Sequence, residues 1–144
     1  MKTNDVIDGI SIKIDEMFGD EYKIYTNNVK QGLEMPCFFI KSLPSNKQKL
    51  IGNRYENEIN LVIHTMIEDS ENKEEQLNDI ADKLYELEYV MLLTGDLLRG
   101  YDMKTEISDG VLLFFITYKY FTYKQTQQEI EMNNLTINGE VKNE

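Results

Sequence analysis

Arg54-Tyr55-Glu56-Asn57-Glu58-Ile59-Asn60-Leu61-Val62-Ile63-His64-Thr65-Met66-Ile67 alternates along its length. Tyr55, Ile59, Leu61, Ile63 and Thr65 share one face of an extended chain, and Arg54, Glu56, Glu58, Asn60, Val62 and His64 share the other. Successive strand side chains point to opposite sides, so this is a half-buried antiparallel strand with one apolar face and one polar face. The apolar face needs a cover, and two amphipathic stretches supply it. Within 4–18, Ile7, Ile10, Ile14 and Met17 recur at helical spacing beside Phe18, with Asn4 as the expected N-cap and Gly19 as the stop. Further on, Asn72 and Glu75 resemble a helix-start capping pair, and Leu77, Ile80, Ala81, Leu84 and Leu87 form a second stripe.

Shorter strands are expected at Tyr22–Thr26 and Cys37–Lys41. Leu43-Pro44-Ser45-Asn46-Lys47 breaks the pattern as a loop or as the tip of a long hairpin. Leu97–Ile107 alternates again, with Arg99, Tyr101, Met103, Thr105 and Ile107 facing one way and Gly100, Asp102, Lys104 and Glu106 the other. Asp109-Gly110 is a two-residue hairpin signal leading into a return strand, Val111–Tyr123. Helices segregated from strands predict an α+β fold, an antiparallel sheet with two helices packed on one face. Residues 1–124 make one domain. Residues 125–144 are a polar, acidic extension.

Composition narrows the function. The 144 residues carry 26 acids against 15 bases, a net charge of −11, with no cluster of Lys and Arg. Counterion release on nucleic acid needs such a cluster, so sequence-independent binding to nucleic acid or anionic lipid is not expected, and neither specific nucleic-acid binding nor a membrane partner is expected. One cysteine, Cys37, and one histidine, His64, exclude an intrachain disulfide and the usual zinc sets. No apolar signal region or membrane-length run occurs, and the reading is a soluble protein made in a reducing cytoplasm.

Catalytic machinery is also missing from the pattern. His64 alternates onto a polar face without an orienting partner, and Cys37 sits in a short apolar strand. The acid pairs Asp15-Glu16, Asp20-Glu21, Glu68-Asp69 and Glu74-Glu75 fall at helix ends and turns. No glycine pattern cradles phosphate. The expectation is a protein without enzyme activity, cofactor or metal, working by contact.

Phe18-Gly19-Asp20-Glu21-Tyr22-Lys23-Ile24-Tyr25, Val29-Lys30-Gln31-Gly32-Leu33 and Pro36-Cys37-Phe38-Phe39-Ile40 resemble a family of small phage tail terminator proteins. A second block, Gly95-Asp96-Leu97-Leu98-Arg99-Gly100, continues through Met103 and Glu106 to Asp109-Gly110-Val111-Leu112-Leu113-Phe114-Phe115, and Ile7-Asp8-Gly9-Ile10 also fits. The resemblance covers residues 4–124. It points to phages, prophages and contractile tail-like bacteriocins of Gram-positive bacteria.

The family implies a homo-oligomeric ring, typically a hexamer, that acts as a collar on the last tail-tube ring. Such a ring stops tube growth and offers a surface to neck or connector proteins, with the sheath as a further partner. Glu56, Glu58, Asp102 and Glu106 are then candidate lumen-facing residues that would repel DNA phosphates. Ile130, Met132, Leu135, Ile137 and Val141 are candidate subunit-interface residues. The alternatives are another neck or head–tail joining protein, or a small ligand-binding or regulatory module. A monomer with a roomy apolar pocket would favour the module.

Overall fold

The computed structural model describes residues 2–26 and 32–124. The order is α1 (Thr3–Phe18), β1 (Lys23–Thr26), β2 (Cys37–Ser42), β3 (Asn46–Lys49), β4 (Arg54–Met66), α2 (Lys73–Leu84), a 3-10 helix (Tyr85–Glu88), β5 (Tyr89–Met91), β6 (Leu97–Ser108) and β7 (Val111–Tyr123). The strand order is β1-β2-β4-β7-β6-β5, with β3 paired to β4. This is the α+β architecture expected from the patterning. Contacts divide the chain into two compact units.

The first unit spans residues 1–46 and 58–120 and holds the helices. Ile59, Leu61 and Ile63 from β4 join Leu112, Phe114, Ile116 and Tyr118 from β7 in one buried cluster. Val6, Ile7, Ile10 and Ile14 of α1 and Leu77, Ile80, Ala81 and Leu84 of α2 complete it, so both stripes bury against one sheet face. Each fully buried Leu, Ile or Phe contributes about 1.5–3 kcal/mol relative to exposure. Gly9 lets α1 approach β5 closely, because a Cβ there would stand 2.5 Å from Leu92 Cδ2. Tyr118 is fully buried, and its hydroxyl donates to the Leu87 carbonyl at 2.7 Å, which ties β7 to the 3-10 helix.

Three local readings are corrected. Helix α1 starts earlier than expected, with Lys2 at the N-cap two residues before Asn4, and the Lys2 backbone N–H donates to the Asp5 carboxylate at 2.9 Å. Strands β1 and β2 run parallel, Lys23 opposite Cys37 through Thr26 opposite Ile40, whereas β2 and β4 run antiparallel. Period-two patterning fixes faces but not strand direction, so one parallel edge pair within the sheet is invisible to it.

The third correction is in β6. Gly100 pairs with Tyr118 and Tyr101 with Thr117, but Lys104 pairs with Phe115, so Asp102 and Met103 together oppose one residue. Asp102 takes φ +54°. This bulge shifts the alternation by one. Gly100 therefore belongs to the buried face, where a Cβ would stand 2.4 Å from Ile116 Cδ1, and not with Lys104 and Glu106. Asp102 sits in the bulge, off the simple alternation with Glu106. The Asp109-Gly110 turn forms as read, with φ of +52° and +75° and Ser108 opposite Val111.

The described residues of the second unit are 47–57 and 121–124. They form an arm of β3, the start of β4 and the end of β7. The Leu50 N–H donates to the Arg54 carbonyl at 2.7 Å and closes the β3–β4 turn, and the Lys124 N–H donates to the Asn53 carbonyl at 2.8 Å. Asn57 Nδ2 donates to Thr122 Oγ1 at 2.9 Å. Of the two readings for 43–47, residues 43–45 are a loop and Asn46 and Lys47 begin β3, while the hairpin tip lies further on, between Leu50 and Arg54.

Replacing Leu61 or Leu84, both essentially unexposed, with alanine is expected to cost about 2–5 kcal/mol in urea unfolding. Ile51→Ala, at a side chain 96 % exposed, is expected to change stability by less than about 0.5 kcal/mol. Similar losses at all three positions would contradict the core assignment.

Candidate interaction surfaces

The two groups with intrinsic reactivity are placed for packing. Cys37 is buried at the start of β2, and burial pushes its thiol above the ordinary range. A thiol held protonated is a poor nucleophile. His64 lies on the outer sheet face with its ring 5.8 Å from that of Phe39. Partial burial, and secondarily the charge of Lys41, lower its pKa.

The outer face of the first unit is a mesh of paired charges and rings. Glu58 accepts from Asn46 Nδ2 at 3.1 Å and stands 3.9 Å from Lys119 Nζ. That ammonium also lies 5.3 Å from the centre of the Tyr101 ring, while Lys104 stands 5.1 Å from that of Phe115. Thr117 Oγ1 donates to Asn60 Oδ1 at 2.6 Å. Glu106 is exposed and pairs with Leu113. Of the four acids singled out in the sequence, Glu58 and Glu106 share this face at opposite ends of the β7 row. Asp102 occupies the bulge, and Glu56 belongs to the second unit. The apolar positions expected at a subunit interface, Ile130, Met132, Leu135, Ile137 and Val141, lie outside the described residues.

Two further surfaces of the first unit escaped the sequence reading. At the β5 edge Met91 pairs with Leu97, and both are exposed, as are Tyr89 and Leu93. Leu92 and Leu98 are buried, so this short hairpin is apolar on both sides. The signal was the close repetition of Met91-Leu92-Leu93 and Leu97-Leu98 around the Thr94-Gly95-Asp96 turn. The second surface is an open groove of about 670 Å³ with Met17, Phe18, Tyr22, Pro36, Ile67 and Ile80 among its lining. Glu21, Glu68, Asp69 and Asp79 also line it, against Lys83. Its residues come from separate stretches of chain, so no local motif announces it.

The described residues of the second unit carry the opposite charge. Lys47, Lys49, Arg54 and Lys124 stand there against Glu56 alone. Lys47 stacks on Tyr55 and Arg54 on Phe121, at 5.2 and 4.0 Å from the ring centres. Ile51 and Tyr123 remain largely exposed.

A family model for phage tail terminator proteins matches residues 5–130. The chain belongs to the phage tail terminator family. Tail terminators are structural proteins that work with other tail proteins and are assembled into the virion. The match continues past Lys124, where the residue-level resemblance stops. No curated protein matches the sequence. One solved structure is similar over 88 % of this chain and 99 % of its own, at 12 % identity and a TM-score of 0.39, too distant to bear on function. Among the described residues no helix is long and apolar enough to cross a membrane.

The lowered pKa of His64 has a definite sign. The unfolded chain binds the proton more readily, so the contribution to stability is complete above the ordinary value of 6.5 and is lost as pH falls through the lower folded value. His64→Gln is therefore expected to flatten the fall in urea midpoint between about pH 7 and pH 5, the range in which histidine titrates. Identical slopes for the two proteins would contradict it.

Proposed function

We propose that this tail terminator closes into a ring of six copies on the last ring of the tail tube, stops tube polymerisation and presents a collar to the neck or head connector. Membership of the family over residues 5–130 carries this reading. Head-to-tail closure needs two unlike surfaces on each copy. An apolar hairpin edge, an acidic groove and a net-basic described arm are unlike surfaces of one chain. The particle is a contractile tail, with tube and sheath as neighbours, of the kind found in phages and tail-like bacteriocins.

In this ring the outer sheet face, with Glu58 and Glu106, lines the lumen and repels DNA phosphates. Asp102 and Glu56 are the other two acids proposed to face the lumen. A map of the ring with these carboxylates on its outer wall would end that part of the proposal. The 125–144 segment orders against a neighbouring subunit, with Ile130, Met132, Leu135, Ile137 and Val141 as its apolar contacts. A lone hairpin is marginal in water, so such a segment needs a partner surface.

Deleting the gene in a particle-producing strain is expected to give tails of uncontrolled length by electron microscopy. Full-length protein restores uniform length, and a chain ending at Lys124 does not. Uniform tails without the gene would overturn the terminator role. Full rescue by the shortened chain would remove only the 125–144 contact.

A further inference from the structure

We propose that the basic arm of one copy docks in the acidic groove of the next copy, and that this contact sets the head-to-tail order of the ring. The inference rests on the ring reading above. It starts from how charge is divided along the chain. Outside residues 47–57 and 121–144, twenty-one acids face ten bases, while the described arm has four bases and one acid. An acidic protein whose described arm is net basic carries its own complement, and opposite potentials both steer encounter and fix register.

The chemistry of the two surfaces also matches. The arm turn carries Ile51, 96 % exposed, beside Lys47 and Lys49. The groove offers partly exposed apolar surface at Met17, Phe18 and Pro36, with acids and Lys83 around it. Glu68 and Asp79 are exposed there, whereas Asp69 is already held by Lys73 at 2.7 Å. An apolar tip among ammonium groups suits an apolar floor among carboxylates, with burial at the centre and charge at the rim. The chain's own 125–144 segment has four acids and one base, so the groove repels it. Nucleic acid is a poorer occupant of the arm, because the arm has few bases and the rest of the protein is strongly acidic.

Charge reversal tests the contact in the gene-deleted strain. The arm variant Lys47→Glu/Lys49→Glu and the groove variant Glu68→Lys/Asp79→Lys change exposed side chains, and thermal melts of the purified proteins check that each still folds. Either variant alone is expected to lower the yield of uniform-length tails at least about tenfold, as loss of close interfacial charge pairs does. Expressed together, the two are expected to restore it. In a mixed ring of even number, each reversed arm meets a reversed groove and each native arm a native groove.

Full activity of either variant alone would overturn the docking contact while leaving the terminator reading intact. Failure of the mixture to recover, with both proteins folded, would also overturn it. So would an arm variant that assembles normally but loses retention on a DNA column, since that would assign the arm to nucleic acid. Uniform tails in the deletion strain itself would overturn the terminator reading and this contact together.

Discussion

Burial of a single sheet face is the constraint on which the rest of the first unit depends. Ile59, Leu61 and Ile63 of β4 and Leu112, Phe114, Ile116 and Tyr118 of β7 present one continuous apolar surface, and both helices are spent covering it. Tyr118 shows how tightly the cover is specified. Its ring fills the interior, its hydroxyl finds the Leu87 carbonyl, and burial holds the phenol far above its ordinary pKa. With the helices committed to one side, the opposite face is only partly covered, Val62 and Thr117 being buried on it and Lys119 and Glu106 exposed. Its contacts include cation–ring pairs, the Glu58–Lys119 ion pair and the part-buried Thr117–Asn60 hydrogen bond. A sheet with one finished face and one partly covered face suits a subunit that works within an assembly.

Legibility in the sequence followed the physics of each element. The β4 row and both helix stripes were readable because burial imposes a period on the residues themselves. The Asp109-Gly110 turn was readable because its positive φ angles restrict residue type. The β6 bulge was not, since one extra residue reverses the alternation without changing composition. Strand β3, Asn46-Lys47-Gln48-Lys49, is exposed at every position and has no apolar period to betray it. Strand β5 is too short for a pattern. The direction of β1 depends on its partner rather than on its own residues.

The surfaces were less legible than the fold for a related reason. The groove gathers Phe18, Ile67 and Asp79 from three distant stretches, so only the folded chain brings them together. The charge of the arm is hidden in the same way. Its bases are split between 47–54 and Lys124, and the overall charge of −11 conceals a basic island. The family resemblance was visible nonetheless, because it rides on turns and core strands such as Gly95–Gly100 and Asp109–Phe115, which the fold itself constrains.

The central claim is that this terminator acts as a closed ring built from unlike contacts. Native mass spectrometry of the 16.9 kDa chain mixed with its tube protein measures this most directly. The account predicts a single closed species of six copies, alone or on a tube ring. A chain that stays monomeric at every concentration with tube protein present, or one that forms open-ended series of increasing mass, would contradict it.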